Sequence, residues 1–126
     1  MSQNKIYVAV VDDDESFSRA LGRLLRAAGF ESSIYNSAEA FLQDTAHAPA
    51  DCLVFDIELG GMSGLDLRRQ LTARGTTTPV IFVNAHDEPE IREEARQIGC
   101  SAYLRKPVPG ELLVEAINKA VNPSNH

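Results

Sequence analysis

Charged residues collect at the ends of apolar runs in this chain. "YVAVV" (7–11) leads straight into Asp12, Asp13, Asp14 and Glu15, "DCLVFD" (51–56) ends in Asp56, and "AYLRKP" (102–107) carries Lys106. Asn84 follows a further run, "VIFV" (80–83). If these ends share one edge of the fold, three carboxylates converge and repel one another, and one lysine does not balance them. A hard divalent cation takes oxygen ligands and relieves that repulsion, and Mg²⁺ is the usual ion where a phosphate is also bound. The acids are aimed to hold a metal.

Each residue taken singly has an ordinary reading. Asp14 and Glu15 fit the first turn of a helix, where a capping oxygen and negative charge are both favourable. Asp56 alone is compatible with a loop cap, and Lys106 alone with a solvated surface lysine. It is the set that the ordinary readings do not explain.

What must position the set is an alternation of strands and helices. "IYVAVV" (6–11) reads as a buried strand. Phe17, Ala20, Leu21, Leu24, Leu25 and Ala28 then recur at helical spacing, closed by Gly29. "SSIYN" (32–36) reads as a short strand, and Ser37 caps a short helix through Phe41 and Leu42. After residues 51–56 and the loop "LGGMSG", Leu65 to Arg74 forms the next helix. "VIFV" precedes a helix that starts at Pro89 and ends at Gly99. "AYL" (102–104) is the last strand, and Leu112, Leu113, Ala116, Ile117, Ala120 and Val121 mark the last helix face. Central strands that are apolar throughout imply a parallel sheet covered on both sides, a doubly wound α/β fold. Ligands of such sheets bind outside the carboxyl ends of the strands, and right-handed crossovers bring those ends to one edge.

Composition narrows the function. A net charge of −6 over 126 residues disfavours nucleic acid or an anionic membrane surface as partner, since both require a basic face. No apolar run approaches the ~20 residues of a membrane span. "MSQNKIYV" lacks signal-peptide architecture, and two cysteines make no disulfide framework. The expectation is one cytoplasmic domain over residues 1–122, either acting alone or cut from a longer chain, with a disordered tail at 123–126.

"VVDDD", "LVFDIELGGMSGLDL", "PVIFVNAHD" and "AYLRKPV" resemble, in order and spacing, the signature blocks of the receiver domain of two-component response regulators. The resemblance covers nearly the whole chain. It implies a five-stranded parallel sheet in the order 2-1-3-4-5 with five flanking helices. Asp56 would be the phosphoacceptor, receiving a phosphoryl group from a sensor histidine kinase or phosphotransfer protein. Asp13 and Asp56 would bind Mg²⁺ directly, Asp12 would hold metal-bound water, and the backbone carbonyl of Glu58 would add a ligand. Lys106 would pair with a phosphoryl oxygen, and the Lys106–Pro107 bond would be cis. Tyr103 falls at the switch position. The kinase would dock around Ser16, Phe17 and Ala20 beside "KPVPG", and a downstream effector on the face of helix 4, strand 5 and helix 5. The domain would be a signalling phosphoacceptor, not a turnover enzyme. In the implied strand order Cys52 and Cys100 lie two strand spacings apart, ~10 Å and too far to bridge.

The chain departs from the family pattern in places. Gly60 stands where proline is common. Glu58 and His86 occupy positions that tune dephosphorylation. Asn84 replaces the usual Thr or Ser, whose hydroxyl bonds the phosphoryl group; a carboxamide also donates, but is longer and aims differently. Phosphorylation is expected to persist while switching weakens. Three rival readings are weaker. A pseudo-receiver acting by constitutive contacts is favoured only by Asn84. A phosphohydrolase with an aspartate nucleophile wants Asp-x-Asp and a cap, where this chain has "DIE" and no insertion. A flavin module wants a phosphate loop after the first strand.

Overall fold

The computed structural model describes residues 5–46, 49–86 and 88–122. The expected tail at 123–126 lies outside the described residues. The elements alternate as β1 (Tyr7–Val11), α1 (Glu15–Ala27), β2 (Glu31–Tyr35), α2 (Ala38–Gln43), β3 (Cys52–Asp56), α3 (Gly64–Ala73), β4 (Val80–Asn84), α4 (Pro89–Ile98), β5 (Ala102–Arg105) and α5 (Gly110–Val121). The five strands pair in parallel in the order β2-β1-β3-β4-β5, as the resemblance implies. Among the described residues no helix is long and apolar enough to cross a membrane.

The period of two along each strand divides the core between the two faces. Val8 and Val10 of β1 pack with Cys52, Val54, Ile81 and Val83 against Leu21 and Leu25 of α1 and Leu113 and Ile117 of α5. Ala9 and Val11 pack with Leu53, Phe55 and Phe82 against Phe41 of α2, Leu67 and Leu71 of α3, and Ala95 of α4. β3 and β4 are buried along their whole length, whereas the edge strand β2 alternates between half-buried and exposed residues. That explains why "ESSIY" carries the weakest strand pattern: only its inner edge and part of one face are covered. Each fully buried side chain such as Phe55 or Phe82 contributes roughly 1.5–3 kcal/mol through the area it removes from water.

Caps set where the helices begin. Asp14 accepts from the Phe17 N–H at 3.1 Å, Ser37 from that of Ala40 at 3.0 Å, and Ser63 from that of Asp66 at 3.0 Å. Gly29 and Gly99, at φ 89° and 93°, close α1 and α4 in a backbone conformation that costs a residue with a Cβ. Two strands run one residue past their apolar stretches, because Asn84 and Arg105 still pair in register at the end of the β4–β5 ladder. Both cysteines are free. Strand spacing is only part of the reason: Cys52 packs in the core on the α1–α5 face, and Cys100 packs against the opposite one.

Candidate functional site

The carboxyl ends of β1 and β3 deliver two acids into the protein. Asp12 and Asp56 are 2% and 5% exposed, a burial that carboxylates adopt only with strong partners. Each has one oxygen fixed by the turn that follows its strand. Asp12 Oδ1 accepts from the Asp14 N–H at 2.8 Å, and Asp56 Oδ1 from the Glu58 N–H at 3.1 Å. The other oxygens face Lys106, whose Nζ lies 2.8 Å from Asp12 Oδ2 and 3.2 Å from Asp56 Oδ2. The Lys106–Pro107 peptide is cis, as expected.

Asp13 is exposed beside this pair, and single carboxylate oxygens of Asp12, Asp13 and Asp56 lie within 4.8 Å of one another. Asp12 Oδ2 is fully buried and, although ion-paired, is not aligned for a hydrogen bond with any group. A buried, under-satisfied oxygen in a cluster of hard oxygen donors fits a divalent cation. The residues present fit the metal expected from the sequence.

The electrostatics follow from burial. Loss of solvent, and next the charge of Asp12, push the Asp56 carboxyl up to about 6, against the opposing pull of Lys106 and the Glu58 N–H. Burial acts to lower Lys106, but its short contact with Asp12 and the charges of both carboxylates outweigh burial and raise it. Lys106 therefore stays charged between two acids, one of which is poised to take up a proton.

The β4–β5 side of the site is built differently. Asn84 is fully buried, its Nδ2 donates to the Tyr103 hydroxyl at 2.8 Å, and its Oδ1 accepts from the His86 N–H at 3.4 Å. Register explains the first contact: Phe82 pairs with Tyr103, and Asn84, two residues on, points to the same face as its diagonal neighbour. The Arg92 guanidinium lies 5.5 Å from the Tyr103 ring centre. Exposed His86 and Glu58 approach at 3.3 Å, bridging the loops after β4 and β3.

The structure thus brings Asp12, Asp13, Asp56 and Lys106 together and sets Asn84, Tyr103, His86 and Glu58 around them. Glu58 joins the acids through its backbone, while its side chain turns to His86. Sequence reasoning missed one contributor and one contact of a residue it had named. A Cβ on Gly64 would lie 2.2 Å from the Asp56 carbonyl oxygen, so only glycine lets α3 start this close to β3. The signal was a glycine directly after the Ser63 cap. The contact is that of Phe17, expected only at the kinase-docking surface, whose ring centre lies 4.3 Å from Lys106 Nζ.

Residues 8–118 match the response regulator receiver domain family. Response regulator protein TmoT of Ectopseudomonas mendocina is 33% identical over 96% of the chain and 55% of its own length. Transcriptional regulatory protein FixJ of Azorhizobium caulinodans is 32% identical over 93% of the chain and 56% of its own length. The chain spans about half the length of the curated relatives it matches. Among solved structures, FixJ-N is 30% identical with a TM-score of 0.86, covering 95% of this chain and 96% of that one. A receiver domain protein of Methanospirillum hungatei is 25% identical with the same TM-score and coverage.

Proposed function

The chain belongs to the response regulator receiver domains, the signalling domains of two-component systems, and from that premise we propose that Asp56 is its phosphoacceptor. The observation that carries this reading is the convergence of the Asp12, Asp13 and Asp56 carboxylates within 4.8 Å, with the Lys106 ammonium 3.2 Å from Asp56. A carboxylate oxygen of Asp56 attacks phosphorus. An O–P bond forms as the P–N bond to a donor histidine breaks, and the electron pair returns to the imidazole nitrogen. Such transfer is mostly positioning and charge neutralisation. Asp13 and Asp56 would hold Mg²⁺ directly, with Asp12 acting through bound water and Glu58 through its backbone carbonyl. The ion supplies positive charge opposite the developing phosphoryl oxygens. Lys106 supplies the second positive charge.

Asn84, at the usual Thr or Ser position, and Tyr103 form the element that reads the phosphoryl group. Glu58 and His86 border the path of an attacking water and tune loss of the phosphoryl group. The donor is a histidine kinase or phosphotransfer protein docking at Ser16, Phe17 and Ala20. The effector binds the α4–β5–α5 face. The domain acts in the cytoplasm as a phosphoacceptor, not as a turnover enzyme.

The test is intact mass after incubation with Mg²⁺ and acetyl phosphate. The expected result is one acid-labile phosphoryl group, lost in Asp56→Asn. No gain in mass would favour the pseudo-receiver reading, to which the existing Asn84–Tyr103 bond lends its one support.

A further inference from the structure

Lys106 has a third partner besides its two carboxylates. Its side chain is 13% exposed, and the Phe17 ring lies 4.3 Å from Nζ, within the range where a ring face attracts an ammonium. A short chain of bonds fixes where that ring stands. Asp12 Oδ1 accepts from the Asp14 N–H at 2.8 Å, and Asp14 Oδ1 accepts from the Phe17 N–H at 3.1 Å. Phe17 covers Lys106, and Lys106 returns to Asp12 at 2.8 Å. The contacts close on themselves: the residue that starts the acidic cluster also determines, through the helix cap, where the ring sits. Asp14 thus does more than start α1.

We propose that Phe17 is a positioning residue for Lys106 in phosphoryl transfer, holding the ammonium beside Asp56 through the face of its ring. This rests on Asp56 being the phosphoacceptor. The ring differs from the carboxylates in what it depends on. Contacts to Asp12 and Asp56 rely on negative charge, which weakens when shared with a cation and is redistributed once Asp56 carries a phosphoryl group. The quadrupole of a phenyl ring is a fixed property of neutral carbon and hydrogen. Phe17 is therefore the partner that persists through the reaction, keeping a flexible four-carbon side chain within reach of the incoming phosphoryl oxygens. Leucine at 17 fills similar space and lacks the quadrupole, so the two contributions separate by substitution.

The experiment compares the wild-type chain with Phe17→Leu, Phe17→Tyr and Phe17→Trp. One measurement is the initial rate of labelling by acetyl phosphate in Mg²⁺, followed by intact mass. The other is the NMR shift of the Lys106 ε-protons without metal or phosphodonor. Loss of the ring is expected to slow labelling about fivefold to tenfold, the scale of a partly desolvated ammonium–ring contact. Tyr and Trp should restore it, and the upfield ring-current shift of the Lys106 protons should vanish only in the Leu variant. The shift reports the contact itself, and a purely space-filling role for Phe17 would let the Leu variant label like the wild type. Should Phe17→Leu fail to fold, Phe17→Met replaces it with the same expectations. Wild-type labelling with an unaffected Leu or Met variant, or aromatic variants as slow as Leu, would overturn the proposal alone. Absence of label in the wild type would overturn the phosphoacceptor reading and this proposal with it.

Discussion

Asp12, Asp56 and Lys106 occupy the ends of β1, β3 and β5 as a cluster of buried charges, while Asn84 and Tyr103 on β4 and β5 share one neutral hydrogen bond. Both halves lie at the same sheet edge, yet they answer to different variables. The charged half holds an excess of negative charge and an oxygen without a hydrogen bond, so it should respond to protons and cations. In the neutral half Asn84 Nδ2 and Oδ1 both have partners, so it should respond mainly to geometry. Under the proposed phosphoacceptor reading, binding and chemistry would fall to the charged half and readout to the neutral one.

The most severe way to break this contrast is Lys106→Met. It removes the cation between two buried carboxylates, and breaking a buried pair costs roughly 3–5 kcal/mol when the remaining charge has no relief. Asp56 has relief, since its carboxyl already sits at about 6 and can protonate. A loss of about 2–3 kcal/mol at pH 7, smaller at pH 5, is therefore expected in chemical denaturation. Tyr103→Phe, which leaves the Asn84 Nδ2 buried without its acceptor, should cost only about 1–2 kcal/mol and the same at both pH values. If the two variants lose equal stability with equal pH dependence, the halves are not distinct.

A smaller effect sharpens the comparison through pH. Burial raises Asp56 from an ordinary 3.8 to about 6, so between those values the folded chain binds a proton more tightly than the unfolded one. Stability from this group is fully present below about pH 4 and is lost as pH rises through about 6, a change on the order of 2 kcal/mol. Asp56→Asn abolishes it. The wild type minus Asp56→Asn difference should therefore turn against the wild type on going from pH 4.5 to 7.5. A flat difference in thermal melts without metal would contradict the burial argument.

The charged half was far more legible in the sequence than the neutral one, for a physical reason. Strand ends are marked by where apolar runs stop, and parallel topology brings those ends together, so Asp12, Asp13, Asp56 and Lys106 could be assembled before any side chain was seen. Several boundaries moved by a residue, and at β4 and β5 they moved because the polar Asn84 and Arg105 stay in the ladder. The Asn84–Tyr103 bond required knowing that Phe82, not Asn84, lies opposite Tyr103, a register that apolar pattern does not set on its own. Phe17 was legible as part of an apolar helix stripe and of the expected kinase-docking surface, but not as a partner of Lys106, which lies far along the chain. Gly64 was hidden for the same reason: what makes it obligatory is an approach of α3 to the Asp56 backbone.

The smallest expected effect on chemistry belongs to Asn84, and it tests the contrast most directly. Asn84 Nδ2 already donates to the Tyr103 hydroxyl in the chain without phosphate, and no charged group of the acid cluster is its partner. Threonine at 84 is one atom shorter and cannot reach that hydroxyl from the same backbone position. Tyr103 then loses a bond that holds it in one arrangement before phosphorylation. The hydroxyl of Thr also becomes available to a phosphoryl oxygen on Asp56. A switch moves only by its differential interaction with its two states. Removing about 1 kcal/mol from the resting arrangement corresponds to roughly a fivefold larger population shift. Labelling itself should change by less than about twofold, because the proposed reading assigns that work to metal, Lys106 and in-line geometry. The measurement is Asn84→Thr against wild type: labelling rate by intact mass, and the phosphate-induced change in the Tyr103 ring resonances by NMR. Similar rates with a larger Tyr103 response assign residue 84 to the readout. A strongly altered rate with an unmoved Tyr103 would instead join Asn84 to the charged half and dissolve the division between them.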